Sequence, residues 1–181
     1  MAEPRDLREG VHFVGAVDWD RRLFDELIPL PDGTSYNAYA IRGSENSALI
    51  DTVDPTMENV LVDSLNQLEM KSIEYVVTNH AEQDHSGALP RILKMYPEAK
   101  VVATPKCQTM LADLLSIPGE RVMTVEDGET LSLGDRTLQF VHAPWVHWPE
   151  TMLTYLREEK ILFPCDLFGS HLATSDLWVT D

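Results

Sequence analysis

Short apolar runs separated by turn residues dominate the first third of the chain. Residues 11–17, 36–41 and 47–53 read as strands, and Asp32-Gly33 and Gly43-Ser44 mark turns between them. The period then changes. Across residues 55–70, Val60, Leu61, Leu65 and Leu68 fall on one stripe, which predicts an amphipathic helix. The run Ile73-Glu74-Tyr75-Val76-Val77-Thr78 is rich in β-branched and aromatic residues and predicts a buried strand. Residues 88–96 predict a helix that ends before Pro97, residues 100–103 a short strand, and residues 109–115 a helix stopped by Pro118-Gly119. From Arg121 onward the pattern is β again, over 122–125, 130–133, 137–143, 152–156 and 161–164. Strands, then helices alternating with strands, then strands suggest two sheets face to face with helices outside. No internal repeat or low-complexity segment interrupts this order.

The 181 residues suffice for one domain with a real core, taken as residues 1–181. A 44% hydrophobic content with 24% charged residues predicts a globular chain, not a disordered one. The formal net charge of −16 argues against nucleic acid or an anionic membrane as partner, because both require a basic surface. It suits multivalent cations. No apolar run reaches the length of a membrane span, and the N-terminus lacks a signal-peptide pattern. Cys107 and Cys165 form no disulfide framework and no Cys-x-x-Cys pair, so a reduced, cytoplasmic location is expected.

The chemistry concentrates in His80-Ala81-Glu82-Gln83-Asp84-His85, which follows the strand expected over 73–78. In an extended stretch His80, Glu82 and Asp84 point the same way. His85 reaches a second ion only if the chain turns, which Ser86-Gly87 permits. That layout fits two metals. The bland alternative is a capped helix start, with Asp84 or Ser86 as N-cap of the helix near Ala88. A set of histidines and carboxylates without thiolate suits iron, manganese or zinc. Glu82 favours iron, since an anionic oxygen stabilises a ferric state better than a neutral imidazole does.

His147 sits in Ala143-Pro144-Trp145-Val146-His147-Trp148-Pro149-Glu150, a stiff loop whose two indoles read as a structural cluster. His147 itself reads as a ligand. Asp166 ends the apolar run Ile161-Leu162-Phe163-Pro164-Cys165, where a carboxylate is costly unless paired or metal-bound. Its two oxygens could bridge two ions. His12 and His142 read as structural, and Cys165 as a small core residue.

With these residues in place, the chain resembles the diiron domain of flavodiiron proteins, members of the metallo-β-lactamase fold superfamily. The resemblance rests on His-x-Glu-x-Asp-His at 80–85, His147 and Asp166. It extends to the flanking runs Trp19-Asp20-Arg21-Arg22-Leu23-Phe24, Gly33-Thr34-Ser35-Tyr36-Asn37-Ala38-Tyr39, His147-Trp148-Pro149-Glu150-Thr151-Met152 and Asp166-Leu167-Phe168-Gly169-Ser170-His171. Ordinary hydrolases of the superfamily look like His-x-His-x-Asp-His, and Glu82 is the departure that marks the diiron branch. The resemblance implies an α/β, metallo-β-lactamase-like αββα sandwich. It implies that His80, Glu82 and His147 hold one iron, that Asp84 and His85 hold the other, and that Asp166 bridges. In some members the histidine matching His85 swings away from the metal. Tyr36, Trp148 and His171 are expected to line a substrate pocket.

The family reduces O₂ to water, NO to N₂O, or both. Electrons arrive through FMN on a flavodoxin-like domain, from a donor such as rubredoxin or a flavin reductase. Subunits pair head to tail, so that one subunit's FMN approaches the other's irons. Two departures stand out. One further iron-ligand histidine is expected well past Asp166, and His171 is too close to be it. No phosphate-cradling loop for FMN is present. The chain is therefore expected to be incomplete at its C-terminus, in need of a partner segment for stability. Alternatives to the reductase are a diiron O₂ sensor without flavin and a zinc-dependent hydrolase of the same fold.

Overall fold

The computed structural model describes residues 3–176. Residues 177–181 lie outside the described residues. A seven-stranded sheet runs in the order Arg5–Arg8, Val11–Phe13, Tyr39–Arg42, Ser47–Ile50, Tyr75–Val77, Lys100–Ala103, Val122–Thr124. The first four strands pair antiparallel, and from Ser47–Ile50 onward every neighbour is parallel. Parallel neighbours need crossovers. The helices Glu58–Gln67, Leu89–Met95 and Pro105–Leu115 supply them. A second sheet of four antiparallel strands follows: Thr130–Ser132, Thr137–His142, Met152–Leu156, Ile161–Phe163.

Strand alternation sorts the core into two layers. Ala40, Leu49, Val76 and Val101 face the helices and pack with Leu61, Leu65, Leu89, Ile92 and Leu111. Their neighbours Ile41, Ile50, Val77 and Val102 face the other way and pack with Leu138, Phe140, Met152 and Phe163 of the second sheet. Helices, seven-stranded sheet and four-stranded sheet are thus three consecutive layers of the expected αββα sandwich. Beyond Leu115 the described residues contain no α-helix, only the single turn Gly119–Arg121. Val141 and Leu162 of the second sheet are exposed. None of the described helices is long and apolar enough to cross a membrane.

The strand expected over 11–17 is broken. Val11–Phe13 stays in the large sheet, whereas Ala16–Asp18 pairs separately with Thr34–Tyr36. At the break, a Cβ on Gly15 would lie 2.0 Å from the carbonyl oxygen of Tyr36, so only glycine fits that approach. The helix expected over 109–115 starts earlier, at Pro105. The Thr104 hydroxyl accepts the Cys107 N–H at 3.1 Å, and Pro105 occupies the first helical position. The strand Arg5–Arg8, the hairpin Leu23–Phe24/Ile28–Pro29 and the one-turn helix Gln83–Ser86 were not expected.

Candidate metal centre

The site gathers at one end of the sandwich, where loops from both sheets meet. Asn79 follows the strand Tyr75–Val77 and is anchored by Asp51, which accepts its backbone N–H at 2.7 Å and its side-chain amide at 3.0 Å. This fixes the start of the loop, and His80 emerges fully buried. Its Nδ1 lies 2.7 Å from Glu150 Oε1, and its Nε2 lies 3.0 Å from Glu82 Oε2. Glu150 also accepts the N–H of Ala81 at 3.0 Å, and the Trp148 ring stands edge-on to His80 at 4.9 Å.

After Glu82 the chain does not stay extended. It enters the helix Gln83–Ser86, where Ser86 Oγ donates to the Ala81 and Glu82 carbonyls at 2.7 and 3.0 Å. This turn, rather than strand alternation, aims Asp84 and His85. Neither Asp84 nor Ser86 caps a helix: Glu82 and Ala88 hold the N-cap positions, without side-chain cap bonds. Gly87 is needed for the compactness, since a Cβ there would lie 2.4 Å from the Gln83 carbonyl oxygen.

His147 comes from the loop between Thr137–His142 and Met152–Leu156 and has a φ of 111°. Such non-glycine backbone persists only where the surroundings enforce it, commonly at functional sites. Asp166 follows the strand Ile161–Phe163, which is an edge strand and only partly buried.

Asp166 divides its oxygens between two groups. Oδ2 faces His80 Nε2 at 3.5 Å and His147 Nε2 at 3.6 Å, and His147 Nε2 is also 3.3 Å from Glu82 Oε2. Oδ1 faces His85 Nε2 at 3.0 Å, which in turn lies 3.5 Å from Asp84 Oδ2. The donor atoms of His80, Glu82, His147 and Asp166 all lie within 4.8 Å of one another, as do those of Asp84, His85 and Asp166. Donors about 2.1 Å from a common ion stand roughly 3.0–3.4 Å apart in tetrahedral or octahedral geometry. The closest observed contacts match these edges. Among the described residues, Asp84 Oδ1 and Asp166 Oδ2 are buried atoms without a hydrogen-bond partner. The donor set and its orphaned atoms fit two adjacent cations.

Protein groups alone already hold these side chains in strongly shifted states. Burial opposes the charge on His80, but hydrogen bonds with Glu150 and Glu82 outweigh it and raise its pKa to about 9. Burial likewise opposes His85, and Asp166, Asp84 and Asp51 raise it to about 10. Burial raises Asp84, helped by its carboxylate neighbours Asp166 and Glu82. Glu82 goes the other way: burial opposes its charge, but His80 leads the hydrogen bonds that hold it near about 2.

A cavity of about 330 Å³ opens onto Glu82, Asp84, His85, His147 and Asp166, with Asp25, Thr34 and His171 on its other walls. His171 is fixed there by Thr34 Oγ1 at 3.0 Å and by the Phe24 ring at 4.8 Å. Tyr36 is not on this wall. It packs in the helix-side core, where its hydroxyl donates to Asp18 at 3.4 Å. Trp148 is not on the wall either, but packs behind His80. Sequence reasoning missed Asp51, Asn79 and Glu150, the residues that hold the candidate ligands. Glu150 had one signal, its place three residues after His147 in a loop otherwise apolar from Trp148 to Pro149.

The chain matches the family model described as ODP family beta lactamase over residues 34–181. It is 44% identical to the type A flavoprotein fprA of Rhodobacter capsulatus, across 97% of this chain and 41% of that protein. It is 40% identical to the nitric oxide reductase of Moorella thermoacetica, across 97% of this chain and 44% of that protein. The solved structure of rubredoxin oxygen:oxidoreductase from Desulfovibrio gigas superposes with a TM-score of 0.90 at 34% identity, across 96% of this chain and 43% of that one. The chain therefore spans less than half the length of these relatives.

Proposed function

The chain belongs to the ODP beta-lactamase family found in flavodiiron proteins, and from that premise we propose that it is the diiron part of a reductase of O₂ to water, of NO to N₂O, or of both. The observation that carries the reading is Asp166, one oxygen toward each donor group, with the carboxylate Glu82 in the first. His80, Glu82 and His147 would hold one iron, Asp84 and His85 the other, and Asp166 both. Two bound ferrous ions would supply a pair of electrons to one small substrate. The residues do the rest. The cavity admits a diatomic molecule against Asp84, His85 and His147.

Electrons would come through FMN on another domain or subunit, fed by rubredoxin or a flavin reductase. The name of the Desulfovibrio relative supports a rubredoxin-type donor, and the lengths of the relatives leave room for a flavin domain. A head-to-tail pairing would bring that flavin to the cavity mouth. Leu27, Trp145 and Phe168, close in sequence to lining residues, are all strongly exposed.

The test is metal content after anaerobic expression with iron, followed by O₂ and NO consumption with reduced flavin supplied. About two irons per chain and consumption of either gas are expected. Zinc alone, with thioester or phosphodiester hydrolysis, would replace this reading by the hydrolase. Reversible O₂ binding without turnover would replace it by the sensor.

A further inference from the structure

The two imidazoles nearest the bridging carboxylate are not held alike. His80 Nδ1 has a buried carboxylate partner: Glu150 Oε1 at 2.7 Å, with both side chains completely buried. The same oxygen accepts the Ala81 N–H at 3.0 Å, and the Trp148 ring blocks rotation of the imidazole. The Glu150 backbone is itself pinned, because its carbonyl accepts the Thr104 hydroxyl at 3.1 Å. Among the described residues His85 Nδ1 has no hydrogen-bond partner, and its nearest carboxylate oxygen, Asp51 Oδ2, is 4.0 Å away. That oxygen is already bonded to the Asn79 amide.

A carboxylate on the far nitrogen of a ligand histidine fixes tautomer and ring orientation and raises the basicity of the metal-facing nitrogen. We propose that Glu150 is a positioning residue that commits His80 Nε2 to the metal, and that the two ion positions therefore fill in order. The His80/Glu82/His147/Asp166 position fills first and tightly. The Asp84/His85/Asp166 position fills second and exchanges more readily. The inference rests on the two-ion reading above.

The experiment is an anaerobic titration of the metal-free 181-residue chain with Co(II), followed by calorimetry and visible absorption. The wild-type chain is expected to bind in two resolved steps. Glu150→Gln should weaken the first step about ten- to a hundredfold and shift the absorption bands of the first-bound ion, leaving the second step in place. His85→Ala, a second variant that does not disturb Glu150, should abolish the second step and leave the first at wild-type affinity. Equal weakening of both steps by Glu150→Gln, no weakening at all, or loss of the first step in His85→Ala would overturn the proposal. A wild-type chain that binds fewer than two ions would instead overturn the two-ion reading on which it rests.

Discussion

Asp51 takes both the backbone N–H and the side-chain amide of Asn79, at 2.7 and 3.0 Å. Asp51 closes the strand Ser47–Ile50, and Asn79 stands immediately before His80. Asn79 reaches the second sheet as well: its Oδ1 accepts the Thr154 hydroxyl at 2.7 Å, and its carbonyl accepts the Met152 N–H at 3.0 Å. One residue pair thus ties the two sheets together at the point where the ligand loop leaves them.

Asn79→Ala should therefore cost more than an ordinary polar truncation. It strips partners from Asp51 Oδ2 and Thr154 Oγ1, both in fully buried residues. Each buried orphan costs about 1–3 kcal/mol, so a loss of at least about 2 kcal/mol is expected. For a chain of this size that is a Tm drop of roughly 4–8 °C. A calorimetric scan of the metal-free variant checks it, and a Tm equal to the wild type would refute the tie.

Asp51 also predicts a pH dependence. Burial leads the raising of its carboxyl to about 6, against the lowering by His85 and the Asn79 bonds. An acid whose pKa is higher when folded binds its proton more tightly in the native state. Its contribution favours folding at low pH and is lost as pH rises from about 4 to 6, on the order of 3 kcal/mol in full. Asp51→Asn cannot titrate. The stability of Asp51→Asn relative to wild type, both metal-free, should increase across that window and be flat above it. A difference constant from pH 4 to pH 7 would contradict the shift.

Metal uptake should release protons. His80 and His85 are raised to about 9 and about 10, with burial opposing the charge and carboxylate partners sustaining it. Their raised pKa values stabilise the metal-free fold fully below about pH 6.5, and this is lost as pH rises through 9 to 10. A metal needs the neutral imidazole, so affinity should climb over the same span. At pH 7, calorimetry in buffers of different ionisation enthalpy should report about two protons released as both positions fill. Buffer-independent heats would rule this out.

The sequence made the order of elements legible because the period-2 and period-3.6 patterns were imposed by two separate cores. Val76 and Val77 are adjacent in the chain, yet one packs on helices and the other on the second sheet, and a continuous apolar run records that. The candidate ligands were legible by residue type. Their geometry was not: Asp84 and His85 are aimed by a one-turn helix closed by Ser86, which four residues cannot announce through periodicity. Glu150 and Asp51 were illegible for another reason. A carboxylate that pairs with a buried histidine or asparagine looks in sequence like any solvated acid, and only the fold brings Glu150 to His80 across 70 positions. Ser35 and Asn37, on either side of Tyr36, line the cavity, while Tyr36 itself packs in the helix-side core, a distinction that depends on the fold around the strand.

Glu82→His tests why a carboxylate occupies the middle of the motif. Glu82 Oε2 lies 3.0 Å from His80 Nε2 and 3.3 Å from His147 Nε2, so it sets an anionic oxygen beside two imidazole nitrogens. Replacing it by imidazole removes a negative charge from the first ion position and leaves the donor number unchanged. Oxygen donors favour iron and manganese, and imidazole suits zinc well. The variant should therefore be isolated with a lower iron-to-zinc ratio than the wild type from the same medium. Any iron it keeps should be reduced at a higher potential, because the ferric state loses more than the ferrous state when an anionic ligand is removed. Metal analysis and a potentiometric titration read the two effects separately. An unchanged metal ratio together with an unchanged potential would mean that Glu82 serves the hydrogen-bond network of His80 and does not contact the ion.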